Sequence, residues 1–486
     1  MTPAAERRGG RRRLVIAGGG LTAWMAAVAL ARSLNLADYS ITVVGADGGE
    51  DYLEPFGVAD ATLPWAEKHH DAVRLDEERI VAENGGAFTF GVALSGWAQP
   101  GASYFQPFSE LGAPLGPVPF HHLALKLRQE GAPVRLANFS LAALAAQAGR
   151  FQRPGRDPRS VLSTCRHGLH LDVSVLAAQS RDEAVQAGAR VVPGMLQTIE
   201  RDPSGMITSL STSGGARVEG DLFLDCTGVE GRLIGDGAEV GWEDWSAWLP
   251  CDRVITSVAT TADVPAPFSH IQAHAAGWTR HLPLQGRAVL TGLFQSAVMD
   301  DQQALAGLRT AAGGGELRDL QARYVRFGRR RSLWHRNCIA LGTAAGLIDP
   351  LLMTNLQLLR LGLDRLLRLL PADGSTVVEA REYNRRVTAQ LDHARDFALA
   401  HYRLNGRAGE PLWDACRAMA VPDSLEYKLR LFESRGRVAL YDEEPVEEVS
   451  WINLFDEQGL QPRRYSPLAD GFSTAEVQSH LQRVRK

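Results

Sequence analysis

Four consecutive apolar residues, Leu14-Val15-Ile16-Ala17, follow a run of arginines and stop at Gly18-Gly19-Gly20. A short apolar run closed by a turn suits a strand buried on both faces. Leu21 to Leu34 then carries good helix formers with apolar residues at helical spacing, and Ser40-Ile41-Thr42-Val43-Val44 supplies another strand. Strand, glycine turn, helix and strand close within about thirty residues, the span of a βαβ unit. Two later apolar runs have the same character. Val218 to Asp225 ends in Asp225-Cys226-Thr227-Gly228, and Cys338-Ile339-Ala340-Leu341-Gly342 leads through small residues to Asp349-Pro350. Beyond about residue 351 the period changes. Leu356–Leu370, Ser375–Asn405 and Pro422–Glu433 each show apolar residues at helical spacing, with breaks at Gly374, Gly406 and Gly409. Gly101 to Pro119, rich in Gly and Pro, reads as a loop over the active-site region, and Arg150 to Arg159 as a polar surface excursion. The pattern predicts an α/β fold with a helical C-terminal part.

The glycine turn brings in chemistry. Gly18 permits the tight turn, Gly20 lets the backbone approach a pyrophosphate, and the helix N-terminus that follows stabilises its charge. Ala23 stands where a third glycine is usual, a permitted exchange. The acidic residue expected to bind ribose hydroxyls would fall near Gly45, and Asp47 lies two residues later.

Composition narrows the partners. Of 486 residues, 45% are apolar and 22% charged, with a net charge of −4, so nothing points to a nucleic-acid surface. The basic cluster Arg7, Arg8, Arg11, Arg12 and Arg13 reads as a solvated leader, because Gly18 to Gly20 interrupts any secretory apolar core. Leu351 to Leu370 carries Arg360, Asp364, Arg365 and Arg368, which makes it an amphipathic helix and not a membrane span. Five scattered cysteines without CxxC spacing suit reduced thiols in the cytoplasm and exclude a simple cysteine metal site. Neither the pairs His69-His70 and His121-His122 nor His167 with His170 has the ligand set of a metal site. Trp242, Trp245 and Trp248 form a stripe suited to packing or to lining an aromatic cavity.

With its several nucleotide-type turns in order, the chain resembles the flavin-dependent tryptophan halogenases of the flavin monooxygenase superfamily. Supporting matches are Gly101-Ala102-Ser103-Tyr104-Phe105-Gln106-Pro107-Phe108, His170-Leu171-Asp172-Val173, Leu249-Pro250-Cys251-Asp252-Arg253, Arg395-Asp396-Phe397 with His401-Tyr402, and Ser466-Pro467-Leu468-Ala469-Asp470. The resemblance implies a Rossmann-type FAD-binding framework over residues 1–350. It carries an interleaved substrate-binding sheet inserted near 40–130 and 240–330, and residues 351–486 are mostly helical. It implies FAD contacts at Gly18, Gly20, Leu21, Thr22, Ala23, Asp47, Asp60, Ala61, Met195, Asp349 and Leu356. With no second pyridine-nucleotide fingerprint, reduced flavin is expected from a separate reductase. A homodimer is a family-level expectation, and the substrate would be a small aromatic molecule or a residue on a peptide.

At the expected reaction centre the chain departs from the resemblance. The family's reactive lysine lies in a segment that here reads Ala87-Phe88-Thr89-Phe90-Gly91, with Thr89 at the lysine position. Threonine forms no haloamine and has no ammonium to donate. A tryptophan pair reads Trp278-Thr279-Arg280-His281-Leu282-Pro283, so Arg280 replaces the second tryptophan and His281 follows it. In Pro350-Leu351-Leu352-Met353-Thr354-Asn355, Leu352 replaces the glutamate that would orient or deprotonate substrate. Asn355 replaces a glycine whose amide helps hold chloride, and Thr354 is retained. Thr89, Trp278, Arg280, His281, Leu352, Thr354 and Asn355 are therefore the expected substrate-pocket residues, with no confident catalytic group among them. Loss of one positioned acid or base costs roughly 10²–10⁴-fold in rate. Two such losses predict a divergent flavoprotein that oxidises an aromatic or indole-like group by altered chemistry. The alternative is a non-catalytic paralogue acting as a partner or binding protein; nothing specific favours a flavin reductase or dehydrogenase.

Overall fold

The computed structural model describes residues 11–45, 55–65, 69–155, 157, 159–235, 240–352, 354–371 and 376–485. Strand β1 (Arg12–Ala17) lies at the centre of a six-stranded sheet. It pairs in parallel with β2 (Tyr39–Val44) and β3 (Leu222–Asp225). Arg190–Val192 extends the sheet beyond β2, and Cys338–Ala340 and Trp334–His335 extend it beyond β3. Leu14 to Ala17 are buried, as an uninterrupted apolar run in a covered parallel sheet requires. Helix α1 (Leu21–Ser33) is buried from Leu21 to Leu30 and packs against the helix Val173–Gln186. Apolar nearly all round, it is an interior helix. Asp47 lies outside the described residues. Val218, expected on the same strand as Asp225, belongs to a short strand, Arg217–Glu219, of a separate three-stranded ribbon. Gly220 intervenes, where a Cβ would meet Phe223 and Val15 at 2.7 Å.

A second sheet has seven strands, in the order Leu317–Tyr324, Arg253–Thr260, Arg287–Phe294, β4 (Gly277–Leu284), Ser269–His274, Gly91–Ser95 and Ser103–Pro107. The last of these corrects the reading of Gly101–Pro119 as loop. Ser103–Pro107 completes an antiparallel ladder with Gly91–Ser95 and buries Tyr104, Phe105 and Gln106, and apart from Pro107 the Gly and Pro residues lie outside it. A small sheet of Ala59–Ala61, Gly168–Asp172 and Ala87–Thr89 carries Asp60, Ala61 and Thr89.

From residue 355 onward the described residues form helices and loops. Helix α2 (Asn355–Arg368) buries every residue from Asn355 to Asp364, polar ones included. Its polar positions are thus not a solvated stripe. Arg360 stacks over Trp65 at 3.9 Å and bonds the Val73 carbonyl, and Asp364 accepts from the His70 amide. The long helix α3 (Val377–Arg403) and four further helices cover α2 and the sheet edges. Among the described residues no helix is long and apolar enough to cross a membrane.

Candidate functional site

Two places gather the residues singled out from the sequence. The first begins at the turn after β1. Gly18 has φ +134°, and a Cβ there would lie 2.3 Å from the Cys226 carbonyl oxygen beyond β3, so only glycine fits. Gly20 caps α1 without a side chain, and the Trp24 indole donates back to the Gly19 carbonyl at 2.9 Å. Leu21 and Thr22 of that first turn share a narrow gap with Asp60, Gly342, Asn355 and Leu356. Gly342, at φ +57°, allows the close approach, because a Cβ would stand 2.5 Å from the Thr22 hydroxyl. Ala23 is buried in the same turn, whereas Met195 is half-exposed on a loop held by the Ser213 hydroxyl.

The far side of the gap is polar and closed. Thr354 caps α2 at the Gln357 amide and donates its hydroxyl to the Ala61 carbonyl at 2.7 Å. Asp60 accepts from the Ala61 amide at 2.8 Å and the Leu356 amide at 3.3 Å. Arg280, from β4, places Nη1 4.0 Å from Asp60. Its Nε and Nη2 are buried without a hydrogen-bond partner among the described residues. Burial pulls the guanidinium's proton affinity down, opposed by Asp60 and Asp349. Asp349 is fully buried. Its Oδ2 accepts the Tyr402 hydroxyl at 2.6 Å, and that hydroxyl accepts the Trp278 indole N–H at 3.0 Å. Oδ1 makes no well-aligned hydrogen bond among the described residues. Burial pushes this carboxyl up to about 6, against hydrogen bonding from Tyr402, Trp278 and the Leu351 amide and against the Arg280 charge. Burial also raises Asp60.

The second place is a cavity of about 690 Å³ with Leu352 on its floor beside Gln357 and Leu361. Phe108 and Gln106 form one wall, and Leu440 to Glu448 form another. That wall is a strap held at adjacent carboxylates. Glu443, in the left-handed region at φ 62°, accepts from Arg365, Arg386 and Gln390. Glu444 accepts from the buried Lys428 ammonium at 2.7 Å and the Trp451 indole at 3.3 Å. No spacing in the sequence announces this strap or the partnership of Tyr402 with Asp349; a non-glycine residue at positive φ is a structural signal only.

The residues expected to form one substrate pocket therefore divide. Leu352 lines the cavity, while Trp278, Arg280, Thr354 and Asn355 lie in the closed polar region. Asn355 clasps both the amide and the carbonyl of Ile348 at 3.3 Å. Thr89 is sealed off: its hydroxyl donates to the Gly91 carbonyl at 3.0 Å and accepts the Gly91 amide at 3.3 Å. His281 stands across from His270, and burial and that neighbour lower its proton affinity. Trp242, Trp245 and Trp248 do not line the cavity. Arg395 lies about equally over the rings of Trp245 and Trp248, at 5.1 and 4.9 Å, and Arg330 covers Trp242. His167 bonds Glu77, and His170 bonds the Pro283 carbonyl. Among the described residues no three His, Cys, Asp or Glu are grouped to hold a metal ion.

The chain as a whole is similar to known proteins. Residues 13–474 match the sequence profile of the family described as tryptophan halogenase. A flavin-dependent halogenase from Brevundimonas sp. superposes with a TM-score of 0.91 at 33% identity, covering 98% of this chain and 95% of that one. One from Xanthomonas campestris gives 0.90 at 33% identity, covering 98% and 94%. In sequence, a tryptophan 6-halogenase of Streptomyces albogriseolus is 27% identical over 445 residues, 87% of this chain and 82% of the relative.

Proposed function

Since the chain belongs to the tryptophan halogenase family of flavin-dependent enzymes, we propose that it binds FAD and oxidises an aromatic or indole-like group by a route other than the family's ordinary halogenation of free tryptophan. The observation that carries this reading is the chemistry of the two positions nearest the expected reaction. Leu352 puts an apolar side chain on the cavity floor, and Thr89 spends its hydroxyl on the Gly91 backbone. Neither side chain can hold an electrophilic halogen or move a proton.

The residues fit the cofactor. An uncapped N-terminus on α1, the narrow gap where Thr22 meets Asp60, Asn355 and Leu356, and two unsatisfied Arg280 donors near Asp60 favour a polar ligand between the turn and β4. Gly18 and Gly20 would let the backbone meet its pyrophosphate, with Leu21, Thr22 and Ala23 in the first turn. Asp60, Ala61, Asp349 and Leu356 would meet its other end. Bound FAD, reduced by a separate reductase, would supply the electrons that activate oxygen. The chain's own part is to offer the aromatic substrate the apolar side chains of Leu352 and Leu361 on the cavity floor. Residues 1–350 would serve as the cofactor framework and residues 351–486 as the part that closes the cavity.

A second reading, a binding partner without catalysis, is favoured by Gly45 at the end of β2, where a ribose-binding acid is usual. Titrating FAD while following flavin absorbance and fluorescence quenching separates the two. Micromolar or tighter binding, with oxygen consumption from reduced flavin, supports the enzyme; no binding at high FAD leaves the partner protein.

A further inference from the structure

Three buried groups in the closed polar region form a chain whose direction is fixed by chemistry. The Trp278 indole N–H can only donate, and it points at the Tyr402 oxygen, 3.0 Å away. The Tyr402 hydroxyl therefore turns its own proton elsewhere. Asp349 Oδ2 lies at 2.6 Å, and the Cys251 sulfur, a much weaker acceptor, lies at 3.9 Å. Oδ2 is thus committed as an acceptor, and any proton on Asp349 must sit on Oδ1. That atom is buried and makes no well-aligned hydrogen bond among the described residues, the Leu351 amide being the one further donor near the carboxyl group. A charged carboxylate oxygen with only a poorly aligned donor is costly in a dry interior, whereas a protonated one is not.

We propose that Asp349 is the proton-holding acid of this interior, with Tyr402 and Trp278 as the positioning residues that fix its proton on Oδ1. The groups facing it are Arg280 from β4, Tyr402 from α3 and Cys251 from the loop before Arg253–Thr260, with Asp60 acting through Arg280. The carboxyl is pushed from 3.8 up to about 6, more than a hundredfold in proton affinity. On release, the proton leaves Oδ1 for a basic atom of a bound ligand. The negative charge stays on Asp349, held by the Tyr402 hydroxyl and the Arg280 charge. An oxidation that ends in water needs such a donor where solvent cannot reach; that use rests on the flavin reading above, whereas the protonation itself does not.

The test is the thermal unfolding midpoint of the protein without added flavin across pH about 4 to about 8, for wild type, Asp349→Asn and Tyr402→Phe. A carboxyl whose folded affinity is raised stabilises below its unfolded value and loses that contribution as pH rises through the folded one. Wild type should therefore fall between about pH 4 and about 6 relative to Asp349→Asn. Tyr402→Phe removes a hydrogen bond that favours the carboxylate, so its fall should extend to higher pH. Parallel wild-type and Asp349→Asn curves overturn the proposal. If Asp349→Asn does not fold, an unshifted Tyr402→Phe curve overturns it and a shifted one upholds it. Repeating the series with FAD separates the two readings: the step without FAD binding leaves this one standing and removes the flavoenzyme.

Discussion

At the scale of single residues, Thr89 and Leu352 respond differently to being restored to ionisable groups. Thr89 is 1% exposed and its Oγ1 closes a small ring with Gly91, so Thr89→Lys buries an ammonium without a partner. The expected cost is about 2–4 kcal/mol, seen as a lowered denaturant midpoint. Leu352→Glu faces the cavity, where water can reach a carboxylate, and should cost about 2 kcal/mol or less. The double variant should give no halogenated indole, because the Asn355 side chain still clasps Ile348 and Arg280 still fills its place on β4. Chlorinated or brominated product, read by mass spectrometry, would show that those two residues are no obstacle. Legibility follows the range of each constraint. The Gly18 turn was readable because its φ and its contact with Cys226 are backbone demands that only glycine meets. The partnership of Tyr402 was not, because Asp349 and Trp278 are 53 and 124 residues away in sequence.

Elements were read well where one period ran unbroken. The run Leu14–Ala17, the helix after Leu21 and the helices beginning near residues 355, 377 and 423 all stand where spacing put them. Errors arose where neighbours in space override composition. Ser103–Pro107 is a strand because Gly91–Ser95 offers it a ladder, and α2 buries Arg360 and Asp364 because Trp65, His70 and Val73 of the preceding chain meet them. The strap from Leu440 to Glu448 has no period at all; it is held by charges from α2, α3 and the helix Asp423–Arg435. Glu443→Gln keeps the shape and removes the charge that joins Arg365 and Arg386. Because both arginines are partly exposed, the loss should be about 2–3 kcal/mol, below that of a fully buried pair. The corresponding check is a lower unfolding midpoint together with faster proteolysis near the strap.

For the whole molecule, the cofactor reading makes stability depend on ligand. FAD would join β1, α1, the small sheet and α2, so it should protect the fold as a unit. At FAD one hundred times its dissociation constant the gain is about 2.7 kcal/mol, measured as a concentration-dependent rise in melting temperature. A rise confined to wild type and absent from Gly18→Ala would tie the effect to the glycine turn, although that variant is itself strained. The cavity has another property, set by where its pieces lie along the chain. Its floor comes from Leu352 to Leu361 and its far wall from Leu440 to Ser450. During synthesis the floor is therefore made long before the wall, and domains settle as their parts emerge. Until residue 450 has left the ribosome Leu352 and Leu361 lack the wall that faces them, so nascent chains stalled short of the strap should bind a chaperone more than the finished chain does.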